Sequence, residues 1–229
     1  MAAVIQDCQI VYTAASTTLT GDYPASIASG DLLLVNVCAL AQATAGTITT
    51  PTGYTQLGST VAGTFDFRRG VFYKIADGTE SGTLSVTQST AQNGMVMIAR
   101  ITGASGIDVH DVGNTSVTGA TADSDAVTTS ADDELVIIFI NQYTDGSNAW
   151  GMTIPATTFA APGEDRLQQN FALCSGAAYF TQATAGSTGA KTWAGLYNNG
   201  QNIQTSTIAI TSAAAAATAR TLMLMGVGS

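Results

Sequence analysis

The sequence predicts an all-β chain, folded as a two-sheet antiparallel β-sandwich of jelly-roll-like character. Three observations carry that expectation. Short apolar or alternating runs recur along the chain, turn dipeptides separate them, and only 10% of the 229 residues are charged, which leaves no long charged helix. The polar surface must then come mainly from Thr, Ser, Asn and Gln, and Thr is a good strand former.

Leu32-Leu-Leu-Val-Asn-Val-Cys-Ala-Leu40 is a near-continuous apolar run, the pattern of a strand buried on both faces. From Arg69 to Ile75, Val71, Tyr73 and Ile75 fall on one side and Phe72 and Lys74 on the other. Thr83-Leu-Ser-Val-Thr87 alternates strictly, as a half-buried strand does, and Met95 to Ile101 is a second central run. Turn chemistry lies between them at Pro51-Thr-Gly53, Asp77-Gly78, Ser81-Gly82 and Asn93-Gly94. Asn-Gly readily takes the positive φ of a tight turn, so Asn93-Gly94 is predicted to close a hairpin.

The second half repeats this layout. Leu135 to Ile140, after Asp132-Asp-Glu134, corresponds to Leu32–Leu40 after Asp31. Ala177 to Ala183 parallels the strand around Val71-Phe-Tyr73, Lys191 to Ala194 parallels Leu84-Ser-Val86, and Gln204 to Thr211 parallels Met95–Ile101. The offset drifts from about 100 to about 110 residues, so either two divergent half-repeats or convergence under common packing rules accounts for it. The chain is read as one sandwich domain over 1–229, with half-repeats about 1–104 and 131–229 and a connector at 105–130. A sheet with one apolar face must be covered, and the other half's sheet is the simplest cover. The alternative is two domains, with the Gly-, Ser-, Thr- and Asp-rich connector as their linker. Ser212 to Arg220 reads as a helical turn or an extended arm, and Thr221-Leu-Met-Leu-Met225 as a last strand returning to the core.

Net charge is −9 with seven Lys plus Arg, which argues against nucleic acid and against anionic membranes as partners. Cys8, Cys38 and Cys174 sit among apolar or small residues without a Cys-x-x-Cys pair. Buried thiols and assembly in a reducing cytoplasm follow, with one disulfide as the alternative. The first residues lack the basic and apolar regions of a secretion signal, and Leu135–Ile140 is too short to cross a bilayer.

Catalytic, metal and cofactor chemistry finds little to stand on. His110, between Asp108 and Asp111, is the one histidine. A metal centre needs three or more converging ligands, and no Gly-x-Ser-x-Gly elbow partners this residue, so it is read as an exposed loop histidine. Asp123-Ser-Asp125 and Asp132-Asp-Glu134 offer hard oxygens but not the spacing of a calcium loop. Asp77-Gly-Thr-Glu80 reads as a turn, and Arg68-Arg69 beside Asp66 as surface or interface ion pairs. No catalytic residue, metal ligand or cofactor is assigned. Tyr143, Trp150, Trp193 and Tyr197 are the candidate glycan or partner contacts, as a stacking platform if exposed, against the commoner use of aromatics as core.

Four segments in order carry a resemblance: Gly30-Asp-Leu-Leu-Leu-Val35, Thr50-Pro-Thr-Gly-Tyr-Thr-Gln-Leu57, Phe72-Tyr-Lys-Ile-Ala-Asp-Gly-Thr-Glu80 and Met97-Ile-Ala-Arg-Ile-Thr-Gly-Ala104. This order resembles a group of phage- and prophage-encoded β-sandwich proteins with a GDLL strand, a PxGWT turn, a YKxAxxxE strand and an ARxxG strand. Ala161-Pro-Gly-Glu-Asp-Arg166 and Ala185-Gly-Ser-Thr-Gly-Ala190 extend the likeness, which spans roughly Ser29 to Ile210 and departs at Tyr54, where the group has Trp. The resemblance implies a non-enzymatic virion structural protein: a capsid-surface decoration, cement or knob protein contacting major capsid or tail proteins. A homo-oligomer, located on the virion surface and assembled in the host cytoplasm, is expected. The alternative is a tail-associated module that recognises host surface glycans.

Overall fold

The computed structural model describes residues 2–40, 47–58, 67–112, 121–143, 166–170, 173–194 and 203–213. Their regular structure is entirely strand. In chain order the strands are β1 (Val4–Asp22), β2 (Leu32–Leu40), β3 (Thr55–Gln56), β4 (Phe67–Ile75), β5 (Thr83–Thr102), β6 (Ala104–Asp111) and β7 (Thr121–Asp123). They continue with β8 (Thr128–Thr129), β9 (Glu134–Tyr143), β10 (Arg166–Asn170), β11 (Leu173–Gln182), β12 (Gly186–Ser187), β13 (Thr192–Ala194) and β14 (Ile203–Ser212).

Two five-stranded antiparallel sheets hold most of them, in the orders β1-β5-β2-β4-β3 and β10-β11-β9-β14-β6. Read from opposite ends these orders match: β6, β14, β9, β11 and β10 occupy the places of β1, β5, β2, β4 and β3. Each half of the chain therefore builds one sheet with one connectivity. The sandwich is the predicted one, but its chain completes the first sheet before starting the second. A jelly roll, by contrast, interleaves its two sheets. The stretch at 105–130 is not a bare connector, because β6 is the edge strand of the second sheet, paired with β14 from Ala104–Ser212 to Asp111–Thr207.

β1 and β5 run 19 and 20 residues, too long to lie flat on one sheet. After a register shift between Ile5 and Asp7, their pairing is regular from Asp7–Arg100 to Thr13–Gly94, irregular around Ser16–Gln92, and regular again from Thr18–Thr87 to Asp22–Thr83. At the irregularity the ribbon folds over the outer face of its own sheet. Gly21 then lies so close to Val96 that a Cβ there would meet its Cγ1 at 2.4 Å. Gln88 braces the bend, its amide donating to the carbonyls of Ser16 and Gln92 at 2.7 Å each. The second half builds the corresponding layer on its own sheet from separate pieces, β7 on β13 and β8 on β12. Tyr23 N donating to Gly82 O (3.0 Å) is matched there by Ser124 N donating to Lys191 O (2.8 Å).

Three buried apolar layers result. Leu32, Leu34, Met97 and Ile101 meet Leu135, Ile137, Phe139 and Ile210 between the two sheets. Leu33, Val35, Val37 and Ile98 pack outward against Leu19, Leu84 and Val86 of the folded ribbon. Val136, Ile138 and Ile140 pack outward against Ala122, Val127 and Trp193. This is why β2 is buried along its whole length, as its continuous apolar run predicts.

Asn93-Gly94 does not turn the chain. Both residues lie within β5, and Gly94 pairs with Thr13 and Ala39. The glycine serves close approach: a Cβ would meet Leu19 Cδ1 at 2.5 Å and the Cys38 carbonyl at 3.0 Å. Gly94→Ala is therefore expected to cost about 1–3 kcal/mol by overpacking. Leu19→Ala in the same chain should return part of that cost, so chemical denaturation of the two single variants and the double variant should give a non-additive cycle.

Candidate functional site

The four segments of the resemblance meet at named contacts in the first sheet. Asp31, which precedes β2, accepts from Arg100 Nε at 2.7 Å and from Ala28 N at 2.9 Å. Lys74 and Glu80 form an ion pair at 2.6 Å, and Glu80 also accepts from Asp77 N and Gly78 N, closing the turn after β4. Asp77 caps that turn at Thr79 N (2.9 Å), with Gly78 at φ +89°. Asp77-Gly-Thr-Glu80 is thus a turn, as read from sequence. Tyr54 donates its hydroxyl to Tyr23 at 3.2 Å, and burial first and this bond second raise its pKa. These motif residues tie strand ends to one another. Their chemistry is architectural.

A polar seam crosses the apolar interior where β2 faces β9. Asn36 donates to Asn141 Oδ1 at 3.0 Å, and Asn141 donates back to Asn36 Oδ1 at 3.1 Å. Ser175 on β11 accepts from Asn36 at 3.0 Å and donates to Asn141 at 2.8 Å. All three side chains are buried. The Cys38 thiol, also bonded to Ser175, is pushed up to about 12, chiefly by burial. Among the described residues no base lies beside Ser175, and Cys38 stays protonated at neutral pH, so nothing described activates either as a nucleophile. Nearby, Arg69 reaches from β4 to the carbonyl of Thr205 on β14 at 2.5 Å. Burial draws Arg69 down to about 10 against the pull of Asp111 and Asp125, which leaves it charged at neutral pH.

Of the surface or interface ion pairs expected from sequence for Arg68 and Arg69, the surface placement is corrected: both are buried. Arg68 donates to Thr90 Oγ1 at 2.5 Å and to Gln88 Oε1 at 3.5 Å, beside the ribbon's bend. Two arginines cannot sit on opposite faces of a central strand and remain outside when both of its faces are covered. Asp66 lies outside the described residues.

Of the four candidate glycan contacts, Trp193 is corrected by its position. Its exposure is 0%, beneath the outer layer of the second sheet, so no sugar reaches its ring. Trp150 and Tyr197 lie outside the described residues, and Tyr143 ends β9 with only its backbone placed. His110 is exposed on β6, opposite Ile208, not in a loop. Asp108 turns away from it to accept from Ser130 N (2.7 Å) and Ser130 Oγ (2.6 Å). The acidic runs divide between tasks: Asp123 accepts from Thr192 Oγ1 at 2.5 Å and Asp132 from Ala185 N at 2.7 Å. Among the described residues no three His, Cys, Asp or Glu side chains gather in a way that could hold a metal ion. Cys8 and Cys38 are buried, as read from sequence.

In sequence Glu134 is one acid of a run, yet it is fully buried. It lies beside Asp108, and burial first and the Asp108 carboxyl second raise it to about 7. Asn36, Asn141 and Ser175 were also missed. Their signal was a polar side chain set in or at the end of an apolar strand. One open cleft, of about 180 Å³, lies between β1 and β11 and is lined by Ala3, Val4, Ile5, Leu135 and Phe180. Tyr179 and Thr181 complete a mostly apolar lining, which brings no pair of carboxylates together. No protein-family model, curated protein or solved structure matches the chain.

Proposed function

We propose that this chain is a structural protein of a bacteriophage particle, a capsid-surface decoration, cement or knob protein that acts through multivalent protein–protein contacts. The observation that carries this reading is the behaviour of the resemblance motifs. Asp31 with Arg100, and Lys74 with Glu80, join segments of the likeness to each other or close them on themselves, as expected of a shared framework. The two matching sheets support it too. Three apolar layers in series give a stiff body, and stiffness lowers the entropic cost of holding many weak contacts at once.

The glycan-binding alternative loses Trp193 as a platform and gains no observation in return. Quantifying the protein in purified particles tests the proposal. A capsid role requires copies on the order of hundreds per particle, following the shell's symmetry, whereas a handful places the protein in the tail. Particles lacking it should also release their genome at lower temperature if it acts as cement.

A further inference from the structure

We infer that Glu134 and Asp108 form an acid-closed latch, sharing a proton that holds the turn at Ser130–Asp133 against the second sheet and releasing it towards alkaline pH. Glu134 opens β9 with an exposure of 0%, and its carboxyl oxygens meet only the Asp108 carboxyl and, at poor geometry, the Ala131 amide. Its neighbour Asp108 sits where β6 bulges, three steps of β6 (Ile107 to His110) spanning two of β14 (Ile210 to Ile208). Bulges redirect side chains, and this one aims Asp108 at Ser130.

Ser130 already donates to both Asp108 oxygens, so Asp108 is an acceptor. A proton between the two acids therefore resides on Glu134. The shifts agree: burial and Asp108 raise Glu134 to about 7 against the smaller pull of the Ala131 amide. Burial also opposes ionisation of Asp108, but the bonds from Ser130, with one from Glu134, hold it below the ordinary aspartate range. Once Glu134 ionises, two negative charges adjoin in a site sheltered from water.

Among the described residues no cation pairs with them. The ion pairs among the described residues involve Lys74 and Arg100, both in the first sheet. Of the elements packed around Glu134, β6 offers Asp108, exposed His110 and Asp111, and the turn offers Asp132 and Asp133. β8, β12 and β14 carry no titratable side chain, and Gln182 of β11 pairs opposite Glu134. Lys191 stands over the Phe180 ring, 5.0 Å from its centre.

The turn is worth latching because several segments meet on it. Asp132 holds Ala185 N, Ser212 Oγ holds the Asp133 carbonyl, and Thr129 Oγ1 donates to the Gly186 carbonyl. Val127, just upstream, belongs to the outer apolar layer. Loosening the turn loosens that layer.

The sign follows from linkage. Between the ordinary glutamate value and about 7 the closed state binds a proton that the open state does not. Closure is therefore complete below that window, weakens up to about tenfold per pH unit across it, and is level above it. Asp108 works oppositely, but only below the ordinary aspartate range, so it leaves this window untouched.

Hydrogen exchange of the amides at 130–134, corrected for intrinsic rates, tests this between about pH 5 and pH 8, the span that linkage marks out. The wild-type chain should open more readily as pH rises. Glu134→Gln, whose amide donates to Asp108 without a titrating proton, should be flat. Asp108→Asn should move the wild-type midpoint to lower pH. Matching profiles for wild type and E134Q overturn the proposal. So does restoration of the alkaline loss by millimolar calcium, which would make the pair a cation site.

Discussion

Trp193→Ala should destabilise the protein by about 3–5 kcal/mol, the range for truncating a large buried aromatic. That is a large fraction of the roughly 5–15 kcal/mol by which a domain is held folded. The indole is among the largest fully buried side chains and fills the space between β13 and the outward face of β9, against Val136, Ile138 and Ile140. β13 has three residues and pairs only with the three of β7, so few backbone bonds hold this layer if the ring is removed. Urea unfolding followed by far-ultraviolet dichroism measures the loss. A cost below about 1 kcal/mol, the level of an ordinary surface change, would mean that the ring is not seated as described.

Asn36→Leu comes next, at about 1–3 kcal/mol. Leucine is close in size, so the cost arises from polarity and not from a void. The Asn141 carboxamide and the Ser175 hydroxyl would each lose a partner in a place water does not reach. The triple variant Asn36→Leu, Asn141→Leu, Ser175→Ala removes the polar atoms together and should lose much less than the sum of the single changes. Its expected defect is in uniqueness: without reciprocal amides, the two sheets meet through aliphatic side chains that tolerate sliding. A full set of side-chain resonances identical in dispersion to the wild type would refute that role for the seam.

How much was legible beforehand differs from residue to residue. Leu32–Leu40 and Leu135–Ile140 disclosed burial on both faces because both faces are covered, and the alternation in Thr83–Thr87 disclosed one covered face. The parallel between halves was legible for the same reason: equal places in equal sheets demand equal patterns. Asn93-Gly94 misled because a glycine chosen for close approach to Leu19 looks the same in sequence as one chosen for a turn. Arg68 and Arg69 misled because charge predicts exposure, whereas their partners Thr90, Gln88 and Thr205 lie 20 or more positions away. Trp193 is ambiguous between core and surface in sequence because an aromatic fits both. The Glu134–Asp108 pair depends on a bulge in β6, and no residue type announces a bulge.

The sequential building of the two sheets bears on how the nascent chain matures. Every pairing of the first sheet lies between Val4 and Thr102, so this sheet can close while the ribosome is still making the rest. It does so with Leu32, Leu34, Met97 and Ile101 facing solvent until Leu135, Ile137 and Phe139 emerge to cover them. For that interval the half-made molecule displays a sticky apolar wall. Translation speed and chaperone supply, more than the stability of the finished product, then govern the soluble yield.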